Sequence, residues 1–214
     1  MKYKNIIFDF DGVLAESLHI KTQAFYKLYQ SYGKKIAEKV VKHHQENGGM
    51  SRFEKFPFYH KKYLGLITND DDINALSADF SNIVVQDVVH ADEVKGATWF
   101  LKKYSNKNKW IVSATPHEEM IEIIKKRNMS KFFKAVYGSP LKKTPIVKKI
   151  INENLLKIED TIFLGDALSD YNAAKENDIH FALRRTPENK NLFKEDQNLI
   201  QFIDFYELDK KIIS

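Results

Sequence analysis

The chain has 214 residues, 43% of them hydrophobic and 13% aromatic, enough apolar material for one domain core plus a substantial insertion, which excludes a disordered or fibrous chain. Lys and Arg outnumber Asp and Glu by 34 to 29; the net +5 is scattered over short clusters, which suits an anionic ligand but forms no basic stripe for nucleic acid. Cysteine is absent, so disulfides, thiolate metal sites and a cysteine nucleophile are excluded, and the apolar run before Asp9 is too short for a signal peptide or membrane span; a cytoplasmic protein with neither a membrane nor a nucleic-acid partner is expected.

Asn5 to Phe10 is a short apolar run of the kind buried in parallel sheets. It carries Phe8, Asp9, Phe10, Asp11, Gly12 and Val13, two carboxylates two residues apart at a strand end, followed by a glycine turn. In such a pair one carboxylate can attack as a nucleophile while the other moves protons. Taken alone, the same letters also describe an ordinary Asp-Gly turn.

From about Ser17 to His90 no parallel strand is evident and the pattern is helical. Ile20, Ala24, Phe25, Leu28 and Tyr32 recur at helical spacing, Lys35 to Gln45 reads as a second helix ending at Asn47, Gly48 and Gly49, and a third begins near Ser51. Asn47 to Phe58 combines a flexible turn, a helix cap and two cations, Arg52 and Lys55, that could reach a sugar or carboxylate. The alternative is an interhelical loop and a charged helix in water.

Lys109 to Ser113 is the next buried-strand run, with Ser113, Ala114 and Thr115 at its end. Thr115, Pro116 and Glu118 predict a capping-box helix start, and a helix N-terminus there attracts phosphate. Met120, Ile121 and Ile124 continue that helix; Lys134 to Tyr137 is a weaker strand. Lys142 or Lys143 precedes Thr144 and Pro145 at another helix start, continued by Ile146, Val147, Ile150 and Ile151. Thr161 to Leu164 is a third strong strand, followed by Gly165, Asp166, Ala167, Leu168, Ser169 and Asp170. His180 to Leu183 is a further weak strand, and Leu199 to Tyr206 reads as an edge strand. Strand and helix in alternation, with about five strands, predict a doubly wound α/β sheet.

Clustered carboxylates repel by roughly 4 kcal/mol per pair at ~4 Å and an effective dielectric near 20, so Asp9, Asp11, Asp166 and Asp170 in one crevice require a cation. Oxygen-only ligands favour Mg²⁺.

The order of these pieces resembles the haloacid dehalogenase superfamily: an acidic pair at strand one, a hydroxyl at a middle strand, a Lys before a helix, and an acidic pair at a later strand. The resemblance runs from Ile6 to about Ala174, and the helical insertion is similar to the cap of the phosphoglycolate phosphatase and β-phosphoglucomutase branch. It implies a Rossmann-like core over residues 1–16 and 91–214 with an all-helical cap over residues 17–90. It further implies Asp9 as nucleophile and Mg²⁺ ligand, Asp11 as general acid/base whose backbone carbonyl binds metal, and Ser113 and Ala114 as phosphate ligands. Lys143, which fits the Lys-x-Pro placement better than Lys142, would neutralise charge; Asp166 and Asp170 complete the metal set, and Arg52 and Lys55 are candidate substrate contacts. Val13 and Ala167 depart from the commonest family residues without removing a charged group.

The implied reaction is hydrolysis of a small phosphate monoester, a sugar phosphate or phosphoglycolate-like compound, through an aspartyl-phosphate. The superfamily's dehalogenases lack the second carboxylate, because a halide needs no proton, so Asp11 points to phosphate chemistry. A phosphomutase, returning the phosphoryl group to a sugar hydroxyl, and a phospho-acceptor regulatory protein are the alternatives.

Overall fold

The computed structural model describes residues 2–190, 192 and 199–212. Six strands form one parallel sheet in the order β3-β2-β1-β4-β5-β6: β1 Asn5–Phe8, β2 Asn108–Pro116, β3 Ala135–Ser139, β4 Thr161–Gly165, β5 His180–Arg184 and β6 Ile200–Phe202. Alternate residues of these strands feed two different apolar layers, because successive side chains of a strand point to opposite faces. Ile6, Phe8, Ile111 and Leu164 join the layer under Phe100, Met120 and Phe205. Ile7, Trp110, Val112 and Phe163 join the other, under Ile146, Val147, Ala173 and Ala174. Each of the larger aliphatic and phenyl side chains among them, fully buried, contributes on the order of 1.5–3 kcal/mol. With both faces covered, the strands can be apolar at every position, which is why the runs were continuous rather than alternating.

Strand order reverses at β1: the chain proceeds outward through β2 and β3, then returns to β4 on the other side. The crevice beyond the carboxyl ends of β1 and β4 is therefore the place where an open α/β sheet receives a ligand.

Leu18–Tyr29 (α1), Lys34–Glu46 (α2), Arg52–Tyr59 (α3) and Asp70–His90 (α4) lie between β1 and Ala97–Lys103 (α5). The two chain crossings into and out of this helical segment run side by side. Ala15 bridges Glu93 in antiparallel fashion, the Glu16 amide donates to the Asp92 carbonyl at 2.9 Å, and the Val94 amide donates to the Leu14 carbonyl at 3.0 Å. The last carbonyls of α4 lack helical partners, and Arg127 supplies them: its Nη1 donates toward Val88, Val89 and Ala91 at 2.9, 2.9 and 2.7 Å.

The structure corrects several sequence expectations. β2 continues past Ser113 to Pro116, so His117–Lys126 (α6) starts without a Thr115 cap, with Glu118 and Glu119 in its first turn. Tyr32 lies beyond α1 in a 3-10 turn, ended by Gly33 at φ 103°. The C-terminal apolar run is the edge strand expected of it, β6, but only as far as Phe202. Beyond it, Phe205, Leu208 and Ile212 bury the stripe of helix α9, Phe205–Ile212, with Asp204 accepting from the Glu207 amide at 2.9 Å. Lys143–Glu153 (α7) and Leu168–Lys175 (α8) complete the α-helices of the described residues, and no described helix is long and apolar enough to cross a membrane.

Replacing Arg127 with Ala leaves up to three carbonyls at the α4 terminus short of a donor. A stability loss of roughly 1–3 kcal/mol is expected in urea unfolding, and an unchanged midpoint would refute this account of the junction.

Candidate active site

The sheet delivers Asp9, Ser113 and Asp166 to one crevice because β1, β2 and β4 are neighbours in register. The Asp9 amide donates to the Leu164 carbonyl at 2.9 Å, which continues the β1–β4 ladder one residue past β1. Two glycines permit the convergence. Gly12 has φ 73°, and a side chain there would collide with the Asp166 carboxylate at 2.6 Å; at Gly165 it would collide with Asp170.

Lys143, the first residue of α7, projects under this crevice. Its Nζ donates to Asp9 Oδ2 at 2.7 Å and to Asp170 Oδ1 at 2.6 Å, with all three side chains at most 5% exposed. Of the two adjacent lysines, Lys143 is the one that reaches Asp9. Lys142 points outward to Glu54 of α3 at 3.3 Å. The other oxygen of Asp170 accepts from the amides of Asp166 and Ala167 at 3.2 and 3.1 Å, which fixes the loop after β4.

Asp9, Asp166 and Asp170 each offer an oxygen within 4.8 Å of the others, a grouping that can hold a metal ion. Burial pushes the Asp9 carboxyl up to about 7, with Lys143 pulling against it and Asp170 and Asp11 adding to the rise. Burial, then Asp9 and Asp170, push Asp166 well above the usual carboxylate range. Burial disfavours the Lys143 charge, but Asp170 and Asp9 outweigh it and hold the ammonium above its ordinary value. The Asp166 side chain has no hydrogen-bond donor among the described residues. One ammonium under three crowded carboxylates leaves net negative charge and an unpartnered acceptor, the environment a hard cation relieves.

Asp11 sits apart from that group. Ser17 Oγ donates to its Oδ1 at 2.6 Å, Thr115 Oγ1 donates to Oδ2 at 3.0 Å, and Lys21 of α1 forms an ion pair with Oδ2. Burial works to raise its pKa, but Lys21 and these hydrogen bonds hold the carboxyl below the ordinary value. Thr115, expected as a helix cap, is thus an Asp11 partner. Ser113, 1% exposed, accepts the Thr115 amide at 3.1 Å, so its own proton is available to an oxygen in the crevice; Ala114 lines the same space.

Asp9, Asp11, Ser113, Ala114, Lys143 and Asp166 form the floor of a cavity of about 470 Å³, covered by the helical segment. Arg52 and Lys55 line it too, but neither is solvated: with Phe56 and Tyr59 they form the buried stripe of α3. Arg52 makes a bidentate pair with Glu119 of α6, at 2.9 and 2.8 Å, and bonds Ser81 at 2.8 Å, so its guanidinium ties α3 and α4 to the sheet layer. Lys55 Nζ contacts His44 Nδ1 at 2.8 Å.

The sequence reading missed Lys21, Ser17, Glu119, His44 and Asn189. Asn189 donates to the Asp166 and Arg184 carbonyls at 2.8 and 2.7 Å. For Lys21 a signal existed: it falls on the same helical stripe as Ala24, Phe25 and Leu28, a charge inside an apolar face.

A family model described as haloacid dehalogenase-like hydrolase matches residues 6–183, from the first buried strand into β5. The chain belongs to this family. Haloacid dehalogenase-like folds among solved structures superpose over nearly the whole chain. A protein from Bacteroides fragilis described as a haloacid dehalogenase-like hydrolase has TM-score 0.75 and 16% identity over 96% of this chain and 99% of its own. One from Lactobacillus plantarum described as a phosphoglycolate phosphatase has TM-score 0.73 and 18% identity over 99% of each chain. A hydrolase of the family from Bacillus subtilis, solved with magnesium and described as revealing interdomain movement, has TM-score 0.70 and 15% identity over 100% of each chain. At these identities the likeness is one of fold. No curated protein matches the sequence.

Lys55 gives the site a pH signature. Burial, then the Lys21 charge, push its ammonium down to about 7 from an ordinary 10.5. Between those values the unfolded chain holds a proton that the folded chain lacks, so this residue makes stability rise with pH. In Lys55→Met the rise is missing; its stability relative to the wild type is expected to be higher at about pH 7 than at about pH 10 in urea unfolding. An equal difference at both pH values would contradict this.

Proposed function

We propose that the protein is a Mg²⁺-dependent phosphatase that hydrolyses a small phosphate monoester through an aspartyl-phosphate on Asp9. The observation that carries this reading is the Lys143 ammonium between Asp9 and Asp170, with Asp166, which has no donor among the described residues, beside them at the floor of the cavity.

Asp9 and Asp166, with the Asp11 carbonyl, would hold the metal, and Asp170 would orient its surroundings through Lys143 and the loop amides. When bound, Mg²⁺ neutralises phosphate oxygens and the carboxylates around them. An Asp9 oxygen attacks phosphorus in line, the bond from phosphorus to the leaving oxygen breaks, and that oxygen takes a proton from Asp11. Asp11 then removes a proton from water, which attacks the phospho-aspartate, releasing phosphate and restoring Asp9. Lys143 and the Ser113 hydroxyl and neighbouring amides steady the phosphoryl oxygens. Phosphate monoesters demand accelerations up to ~10²¹, more than any one of these groups supplies.

With Lys21 on it, Asp11 is an ionised base; donating a proton to the leaving oxygen requires that contact to part. Lys21 belongs to α1, so we take residues 17–90 as a cap domain on the core of 1–16 and 91–214, swinging on the paired crossings at Ala15 and Glu93. The interdomain movement described for the Bacillus subtilis protein supports this reading. Closure excludes water and assembles the site.

Asp9→Asn is expected to lower kcat by about a thousandfold or more, and acid quenching of the wild type with substrate should trap a phosphate ester on Asp9. Chelation should abolish turnover and Mg²⁺ restore it. Full activity in Asp9→Asn, or turnover indifferent to chelator, would defeat the proposal.

A further inference from the structure

A phosphoryl group on Asp9 occupies the floor of the cavity, so the leaving group extends away from it toward the mouth, where the lining changes character. Leu141, in the connection before α7, and Leu168, the first residue of α8, are 63% and 50% exposed, and both line the cavity. Each stands two residues before a member of the charged centre, Lys143 or Asp170, so the two helix starts that carry that centre also place a leucine apiece at the mouth. Half-buried Leu18 of α1 and Met50 of the loop before α3 continue the apolar lining from the helical segment, and Ala114 of β2 continues it from the sheet. Single exposed leucines are ordinary. Two on one cavity, joined by further apolar groups, form a surface that a ligand covers.

The charges of the lining agree with an uncharged occupant. Lys21 faces Asp11, Arg52 faces Glu119, Lys142 faces Glu54, and Lys143 faces Asp9 and Asp170. Lys55 is occupied by His44 and the Phe25 ring, and burial works against its charge. Glu46, Glu176 and Glu188 also line the cavity and repel a second anion. We propose that Leu141 and Leu168 are specificity residues and that the leaving group they meet is uncharged and apolar. The preferred substrates are then phosphate esters of aromatic or branched aliphatic alcohols, not of hydroxy acids or sugars. This rests on the phosphatase reading for its chemistry and names the substrate class of that same site. The polar floor meets the phosphoryl group, which every ester shares, so discrimination between alcohols falls to the apolar collar. An apolar alcohol seated there removes its own surface and that of the leucines from water together.

The test compares kcat/KM of the wild type, Leu141→Ser, Leu168→Ser and Leu155→Ser on benzyl phosphate, ethyl phosphate, glucose 6-phosphate and phosphoglycolate, all esters of primary alcohols, with thermal unfolding confirming that each variant is folded. Leu155, 90% exposed and outside the cavity lining, controls for the loss of a surface leucine. The wild type is expected to prefer benzyl phosphate to each of the others by about tenfold or more. In Leu141→Ser or Leu168→Ser the preference over ethyl phosphate should fall by about threefold to tenfold, chiefly through KM, and in Leu155→Ser it should hold within about twofold. A wild type that favours glucose 6-phosphate or phosphoglycolate, or has no preference, overturns the proposal; so does a preference unchanged in both cavity variants or lowered equally in Leu155→Ser. Calorimetric binding of benzylphosphonate and methylphosphonate, with Mg²⁺, separates the two readings. Tighter benzylphosphonate binding that weakens in Leu168→Ser supports the collar even if no ester is hydrolysed, an outcome that would sink the phosphatase reading. Equal binding of the two phosphonates overturns the collar while leaving hydrolysis of ethyl phosphate as support for the phosphatase.

Discussion

The convergence of carboxylates depends on one buried ammonium. Without Lys143, Asp9 and Asp170 would face each other and Asp166 at close range in an interior that screens charge poorly, and the loops carrying them would separate or the groups would take up protons. With it, Asp9 and Asp170 share a cation, and the second oxygen of Asp170 is free to hold the amides after β4. Lys143 sits at the first turn of α7, a helix anchored in the core by Ile146, Val147 and Ile150. The apolar layer on that face of the sheet thus fixes the charge that makes the site possible.

One cation cannot balance the whole set. The excess is distributed unevenly: Asp11 is paired with Lys21 and held ionised, while Asp9 and Asp166 are pushed toward protonation. Two carboxylates with different environments can perform different work, attack by one and proton movement by the other. Because Lys21 comes from α1, the state of Asp11 is tied to the position of the helical segment.

The same economy of charge runs through the junction between the segment and the sheet. Arg52 with Glu119, Lys142 with Glu54, and Arg127 with the α4 carbonyls each join the two across a polar contact. Arg52 with Glu119 is buried and bidentate, so losing either partner would strand a charge. Lys55 is the exception, a buried cation with no ion pair among the described residues.

The sequence by itself determined the sheet, the order of the motifs and the identity of the charged groups, because these follow from local pattern. Continuous apolar runs become strands buried on both faces, and polar residues at their ends are forced to the same edge. Tertiary structure alone decided the pairings. Lys142 is the extended residue before α7 and Lys143 its first residue, and only the packing of α7 shows which faces Asp9. Thr115 carried a cap signal, yet its hydroxyl serves Asp11 because β2 extends to Pro116. Arg52, a candidate substrate contact that lines the cavity, pairs with Glu119, 67 positions away. Partners separated by tens of residues leave no mark in local periodicity; their meeting is set by how the sheet and the helical segment pack.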